Sequence, residues 1–301
     1  MLDRTPPAAR LLPLLRELGD LKRIHSAGRR GSIAERLFRR SWSALVAGAE
    51  VGRIADAIAA EALAAARLGD LDDLALGALG LDEGERAAIR RRAIAELADG
   101  VEAELAARLR ASVSAPDLPD AAPPAFVASL ADQPRAGVTC PGKPRLMLQP
   151  AENHAEHCLT VAVYGLLLAP RYRADPAVVF LAGIAHHLHS ASMPDSGFTG
   201  EVLLGGCLDA VIVSARAKAL GMLAPALRAR VEPIFAIIAD ADSPEGRAFH
   251  AADVLDRVLE IESHVRARAA TMDLVLGDYE LVHAGPVKAF HDRVLAEAGL
   301  A

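Results

Sequence analysis

Six of the ten histidines fall in three short windows in the second half of the chain. The windows are ENHAEH at residues 152–157, HHLH at residues 186–189 and FHAAD at residues 249–253. Each contains two potential metal ligands three positions apart, and on a helix such a pair shares one face. Imidazole and carboxylate ligands together suit Fe, Mn, Co, Ni or Zn, whereas Ca and Mg prefer oxygen ligands alone. Three helices could therefore direct these side chains at one divalent transition-metal ion.

The three windows differ in how strongly they indicate a metal. The second lies in the apolar run VVFLAGIAHHLH, where a buried polar side chain must be paired or coordinated. A single histidine there would be typical of a hydrogen-bonded core residue, but three histidines in four positions favour metal ligands. The pair His250 and Asp253 is less specific, because AADVLDRVLEIE is an ordinary amphipathic helix and Asp253 could be a solvated or capping carboxylate.

The composition predicts that helices carry these residues. Of the 301 residues, 52% are hydrophobic and only 4% are aromatic, and the abundant Ala, Leu, Arg and Glu are good helix formers. Residues 11–110 have apolar side chains at three- and four-residue spacing, with capping-box patterns that start at Ser32 and Asp82. Further helices are predicted over residues 152–169, 175–188, 199–220, 223–240, 245–269 and 285–297. The predicted fold class is all-α.

Prolines divide the chain into regions. Most prolines outside the N-terminal tail lie between residues 112 and 150, and a helix cannot continue through such a run. The sequence therefore predicts three regions. They are an N-terminal helical region of unknown role at residues 1–112, a Pro-rich linker at 113–150 and a metal-binding helical domain at 151–301.

Charge, apolar runs and cysteines exclude several classes of protein. With 39 acidic and 33 basic residues the formal net charge is −6, so the chain as a whole lacks a cationic surface for nucleic acid. Apolar runs such as residues 158–170 and 178–185 are shorter than the ~20 residues of a spanning helix, and the acidic, Pro-containing N-terminus is not typical of a signal peptide. Three cysteines without a CxxC motif exclude a disulfide framework. We expect a cytoplasmic protein with no membrane or nucleic-acid partner; whether it is a homo-oligomer stays open.

Together, the three windows resemble the HD superfamily of metal-dependent phosphohydrolases, and especially its bacterial 5'-deoxynucleotidase branch. ENHAEHCLTVAVYGLLLA is similar to the first metal-binding helix of that family. VFLAGIAHHLHSA is similar to the helix that ends in its His-Asp pair, and FHAADVLDRVLE to the helix that brings its last aspartate. The resemblance covers residues 150–268 and implies an HD-type helical bundle, preceded here by a separate N-terminal helical region.

The resemblance also implies a ligand set. Position by position it makes His157 the first metal ligand, His186 the second and Asp253 the fourth. His187 stands where the family has an aspartate that ligates the metal and can bridge two ions, and an imidazole cannot bridge in the same way. Either these four residues hold a single ion, or additional histidines build a different second site, or the activity is lost. The additional histidines are His154, His189 and His250.

The motif PDSGFTGE at residues 194–201 allows two interpretations. Its composition is that of a tight turn that leads into a helix capped by Thr199. Alternatively, it places Asp195 or Glu201 at the rim of the metal site, as a general base or as the carboxylate that a metal-bound histidine needs on its other nitrogen. We take Asp195, together with His189, as the candidate catalytic residues.

The residues and the resemblance lead to one expected function and two alternatives. The expected function is hydrolysis of a small phosphoester or nucleotide by a metal-activated water, with one or two transition-metal ions as the cofactor. The alternatives are an HD-type di-iron oxygenase, and a degenerate HD module that binds a ligand or partner without catalysis. Phosphate chemistry also needs cations near the metal, and spacing singles out none of the candidates. Those candidates are Lys143, Arg145, Arg171, Arg173, Arg216 and Lys218.

Overall fold

The computed structural model describes residues 7–268, and every regular element in that part of the chain is helical. The all-α prediction is confirmed. Short 3-10 turns at Asp20–Lys22, Leu188–Ala191 and Gly205–Cys207 supplement the α-helices. The α-helices are α1 (Pro7–Gly19), α2 (Ile33–Val46), α3 (Val51–Leu68), α4 (Asp73–Ala78), α5 (Glu83–Leu97), α6 (Ala103–Ser112), α7 (Ala125–Asp132), α8 (His154–Tyr172), α9 (Pro176–Ala185), α10 (Gly197–Leu204), α11 (Leu208–Leu220), α12 (Pro225–Val231), α13 (Ile234–Ala239) and α14 (Pro244–Arg268).

Side-chain caps set the starts of several of these helices. Asp82 forms the predicted capping box with Glu85 at the start of α5. Ser32 caps α2 as predicted by accepting a hydrogen bond from the backbone of Glu35. The Glu35 carboxylate accepts hydrogen bonds from the side chains of Arg39 and Asn153. Since Asn153 is itself the cap of α8, the start of α2 is tied to the start of the helix that carries His157.

Helix α8 is the central element, buried from its first residue to Ala169. It packs against α2 and α3 of the N-terminal region and most extensively against α9. At the α8–α9 contact, a Cβ added to Gly183 would lie 2.4 Å from the Cα of Ala162. The two backbones therefore approach more closely than any side chain at residue 183 would allow.

Replacing Gly183 with Ala is expected to destabilise the protein, because the new methyl group would force α8 and α9 apart. Overpacking of this kind costs about 1 to 3 kcal/mol. Chemical denaturation measures the free energy of unfolding. The control is Gly206→Ala, where an added Cβ meets no heavy atom within 4 Å, so its stability should match the wild type; equal stability of both variants would contradict the close contact.

The helices of the predicted N-terminal region and helices α8 to α13 belong to one compact unit. The chain divides into a unit that ends at Arg257 and a second that begins at Val258. The predicted boundaries at residues 112 and 150 do not coincide with this division. Contacts across them include hydrogen bonds from the Ser32 hydroxyl to Glu156 and from the Tyr164 hydroxyl to the backbone carbonyl of Leu15.

The predicted linker and two predicted helices differ from the structure in detail. The linker contains α7, because the eight residues after Pro124 hold no proline and bury Phe126, Val127 and Leu130. The helix predicted over 199–220 is interrupted at Gly205–Cys207. That predicted over 223–240 is interrupted near Pro233, whose ring cannot supply the N–H of a continuous helix. The helix predicted over 285–297 lies outside the described residues.

Within residues 7–268, one helical stretch, Gly197–Leu220, is long and apolar enough to cross a membrane by length and composition alone. Its most apolar window has a mean hydropathy of 1.5, and 6% of that window is buried. Leu203 and Val213 are the most exposed of its large apolar side chains. The sequence-based expectation of no membrane partner stays a prediction.

Candidate metal centre

The four residues that the resemblance selects come from three separate places in the fold. His157 is in the first turn of α8, and His186 and His187 directly follow the end of α9. Asp253 lies in α14. The Asn153 capping box fixes the start of α8, and the close α8–α9 contact brings the end of α9 to it. The structure thus places His157, His186 and His187 next to one another, with Asp253 beside His157.

The three histidines offer ligand atoms close enough to share one ion, and Asp253 lies beside them. One ring nitrogen from each of His157, His186 and His187 lies within 4.8 Å of the others. The Nε2 atoms of His157 and His186 are 3.1 Å apart, and Asp253 Oδ1 lies 3.3 Å from His157 Nε2. The arrangement offers three imidazole nitrogens and one carboxylate oxygen, a set that suits the transition metals expected from the sequence.

In His157 and His186, the hydrogen-bond partner of Nδ1 fixes which ring nitrogen can bind a cation. His186 Nδ1 lies 2.6 Å from the carbonyl oxygen of Gly183, which can only accept, so Nδ1 carries the proton. His157 Nδ1 lies 2.6 Å from Asp256 Oδ2, a buried carboxylate that likewise accepts. In neutral rings both Nε2 atoms then present lone pairs to each other across 3.1 Å. A cation between them removes this repulsion.

Burial keeps His186 and His187 neutral. Desolvation lowers the pKa of His186 to about 3, and that of His187 well below its usual value. Neutral imidazoles beside an ionised carboxylate are the protonation states that bind a metal ion.

Asp256 contacts His157 at Nδ1, and Lys22 in turn contacts Asp256. The sequence analysis selected neither residue. Lys22 Nζ lies 2.7 Å from Asp256 Oδ1 and 2.6 Å from Glu152 Oε2. The side chains of Lys22 and Asp256 are almost fully buried. Lys22 thus balances the carboxylate that orients His157, although 234 residues separate it from Asp256. The position of Asp256, one turn after Asp253 on α14, was the available signal.

The carboxylates behind His157 could also be considered as a second metal site. Ligand atoms of Glu152, His157 and Asp256 lie within 4.8 Å of one another. The ammonium group of Lys22, however, makes ion pairs with both carboxylates. A protein cation therefore already takes the role that a metal ion would have in this group.

Two of the three additional histidines lie beside the metal-ligand group. The ring centroid of His187 is 4.8 Å from that of His154 and 5.3 Å from that of His189. His250 is exposed, and its Nε2 instead lies 2.9 Å from the carbonyl oxygen of Ile238. A second site built by all three is therefore not brought together.

Asp195 lies next to His154. Its Oδ2 accepts a hydrogen bond from the backbone of Ala136 at 2.9 Å and lies 3.8 Å from His154 Nε2, while Oδ1 accepts from the backbone of Gly197 at 2.8 Å. Both carboxylate oxygens thus hold backbone turns. The proposed helix cap at Thr199 is wrong, because α10 begins at Gly197 after an N-cap at Ser196.

A buried cysteine and two of the candidate cations have defined surroundings. Cys158 is buried, and desolvation raises the pKa of its thiol, as for a core residue. Arg145 donates to the carbonyl oxygens of Ala136 and Ser196. Arg216 stacks over the ring of Phe235, with its guanidinium carbon 4.0 Å from the ring centroid. A cation that the sequence analysis missed, Arg135, pairs with Glu152 through Nε at 3.4 Å.

The chain matches no protein-family model, no curated protein and no solved structure. The resemblance to HD phosphohydrolases stays an expectation from the three sequence windows. What the structure adds is the group His157, His186 and His187, which could hold a metal ion, with Asp253 beside His157.

Proposed function

We propose that this protein is a metal-dependent phosphohydrolase that acts on a small phosphoester or nucleotide. The observation that carries the proposal is the pair of Nε2 atoms of His157 and His186, 3.1 Å apart, with both Nδ1 atoms engaged elsewhere. Asp253 and His187 complete a four-ligand set beside this pair. The resemblance to the HD superfamily supplies the reaction type.

The protein contributes mainly the fixed orientation of its ligands. A divalent ion, when bound, would supply Lewis-acid activation of a water molecule and neutralise charge on a phosphoryl group. Asp256 holds the His157 ring through Nδ1, and Gly183 holds the His186 ring in the same way. Such supporting contacts fix the tautomer and aim the ligating nitrogen.

The ligand types favour one ion from the group Fe, Mn, Co, Ni and Zn. Nitrogen-rich sites bind these metals better than Mg or Ca. His187 has Nδ1 3.2 Å from Ser190 Oγ, so only its other nitrogen is available, and one nitrogen lone pair does not bridge two ions. We therefore propose a mononuclear centre.

A di-iron oxygenase is the second candidate. It is favoured by the rings of His154 and His189, which both lie beside His187. The ring centroids of His154 and His189 lie 4.8 and 5.3 Å from that of His187. A second iron would need nitrogens from these two histidines. The two candidates differ in metal identity and stoichiometry, which can be measured directly.

The deciding experiment measures metal content and phosphoester turnover on the same samples. The protein is purified without chelator or affinity histidines, as wild type, His186→Ala and His250→Ala. We expect about one ion per chain and hydrolysis of a generic phosphoester in wild type, and loss of both in His186→Ala. His250→Ala is the matched control, because its ring contacts the Ile238 carbonyl rather than the ligand group, and should behave as wild type.

Each other outcome points elsewhere. Two irons per chain without hydrolysis would replace the phosphohydrolase with the oxygenase. No metal in wild type, after reconstitution with each of Fe, Mn, Co, Ni and Zn, would overturn both enzyme proposals. A His186→Ala variant that keeps its ion would contradict the assigned ligand set.

A further inference from the structure

Buried polar atoms without hydrogen-bond partners concentrate around the histidine cluster. Eight such side-chain atoms occur within the described residues, and five of them belong to residues in or next to this region. A buried polar group left unpaired is costly, so native proteins normally satisfy it with protein, water or ligand. The five atoms are Arg135 Nη1, His154 Nδ1, His189 Nδ1, Ser196 Oγ and Arg216 Nε.

Four of these five residues lie on segments that pack around His187. The His154 and His189 rings both lie beside the His187 ring. Ala136, next to Arg135 in the chain, donates its backbone N–H to Asp195, whose Oδ2 lies 3.8 Å from His154 Nε2. Arg216 lies in α11, which packs against the 3-10 turn Leu188–Ala191 that contains His189.

Each arginine is held in place by one contact and has another buried N–H donor without a hydrogen-bond partner. Arg135 uses Nε for its ion pair with Glu152, which leaves Nη1 buried and unpaired. Arg216 stacks its guanidinium on Phe235, which leaves Nε buried and unpaired. Such fixed guanidinium groups need little reorganisation to bind a further partner.

The chemistry of the unpaired atoms defines what could satisfy them. Guanidinium N–H groups can only donate, so their partner must be an acceptor. Two positive charges beside a metal-ligand group favour an anionic acceptor, and guanidinium geometry matches the oxygens of a carboxylate or phosphate. The facing carboxylates, Glu152 and Asp195, are already engaged, the first with Lys22 and Arg135 and the second with two backbone N–H groups.

We propose that Arg135 and Arg216, with His154 and His189, form a subsite for an oxyanion next to the metal centre. The subsite would hold a phosphoryl or carboxylate group of the substrate, with its oxygens accepting from Arg135 Nη1 and Arg216 Nε. This inference rests on the proposed function for the identity of the neighbouring centre. It adds Arg135, and it selects Arg216 from the candidate cations, as residues that would recognise the substrate.

The test is calorimetric titration of inorganic phosphate into metal-loaded protein, with metal content measured on each sample. The variants are Arg135→Gln and Arg216→Gln, and the control is Arg228→Gln, an exposed arginine of α12 that pairs only with Glu232 among the described residues. We expect each of the first two to weaken phosphate binding about tenfold or more, because each removes a charge-assisted hydrogen bond. Arg228→Gln should leave it unchanged. Arg216→Gln tests the subsite independently if Arg135→Gln does not fold.

Titrations with acetate and acetamide identify which chemical class of ligand the subsite binds. Binding of phosphate alone would assign a phosphoryl subsite, and binding of acetate with the same dependence on both arginines would extend it to carboxylates. Acetamide, which is neutral, should not bind, and equal binding of acetamide and acetate would overturn the proposal.

The remaining outcomes separate this inference from the proposed function. Metal-loaded wild type that binds no phosphate, or arginine variants that bind it as tightly as wild type, would overturn the subsite and leave the metal centre standing. Wild type that holds no metal would overturn the proposed function. The subsite would then be judged on metal-free protein, where both arginine variants must still weaken phosphate binding.

Discussion

Chelating the bound ion is expected to lower the free energy of unfolding of the wild-type protein by about 3 to 4 kcal/mol. This range applies when the ion was present at about a hundred to a thousand times its dissociation constant. Once the ion is removed, the lone pairs of His157 and His186 face each other across 3.1 Å, and the Asp253 carboxylate lies 3.3 Å from His157. When both rings are neutral, these facing acceptors repel each other, and a bound ion removes the repulsion.

Thermal or chemical denaturation with and without chelator measures this effect. His186→Ala should lose the dependence on metal, because one of the two closest nitrogens is gone. His250→Ala should keep the full dependence, because its ring hydrogen-bonds to the Ile238 carbonyl. A wild-type stability that does not respond to chelator or to added metal would contradict the proposed centre.

The resemblance selected the four candidate ligands, and the local sequence around them indicates why they come close together. The apolar flanks of His157 and His186 specify buried helices, and the Asn153 capping box fixes where α8 begins. Because a helix has a fixed periodicity, this start also fixes the direction of the His157 side chain. The close approach at Gly183 then brings the end of α9 against α8.

The same periodicity was misleading for His250. Residues three apart on a helix are about 60° apart around the axis, since each residue turns about 100°. This difference is enough for Asp253 to reach His157 while His250 is exposed and contacts a carbonyl oxygen of α13. A shared face is a necessary condition for two ligands to meet, and it is not a sufficient one.

Supporting residues could not be found from local pattern, because they depend on packing between distant segments. Lys22 follows α1, and nothing in residues 20–22 distinguishes it from a solvated lysine. Its role appears only when α1 and α2 pack on α8 and bring its ammonium group to Glu152 and Asp256. Arg135 was missed for the same reason, since it lies in the Pro-rich region that was predicted to be a linker.

Replacing Lys22 with Met is expected to weaken both folding and metal binding. Breaking a buried ion pair by removing one partner costs about 3 to 5 kcal/mol, and the Lys22 and Asp256 side chains are 2% and 1% exposed. Asp256 would then be a buried carboxylate with only His157 to share its charge, and the orientation of that ring would loosen. Loss of a contact that supports a metal ligand typically costs about 10- to 100-fold in metal affinity.

A double-mutant cycle separates this role from a general loss of stability. The variants are Lys22→Met, Asp256→Asn and the combination, with Lys143→Met as the exposed-lysine control. If Lys22 acts through Asp256, the combined variant should lose less stability than the sum of the two single variants, because removing the second partner also removes an uncompensated charge. Lys22→Arg should restore part of the metal affinity. Additive effects, or metal affinity unchanged in Lys22→Met, would mean that the N-terminal region only packs against the metal centre and does not orient its ligands.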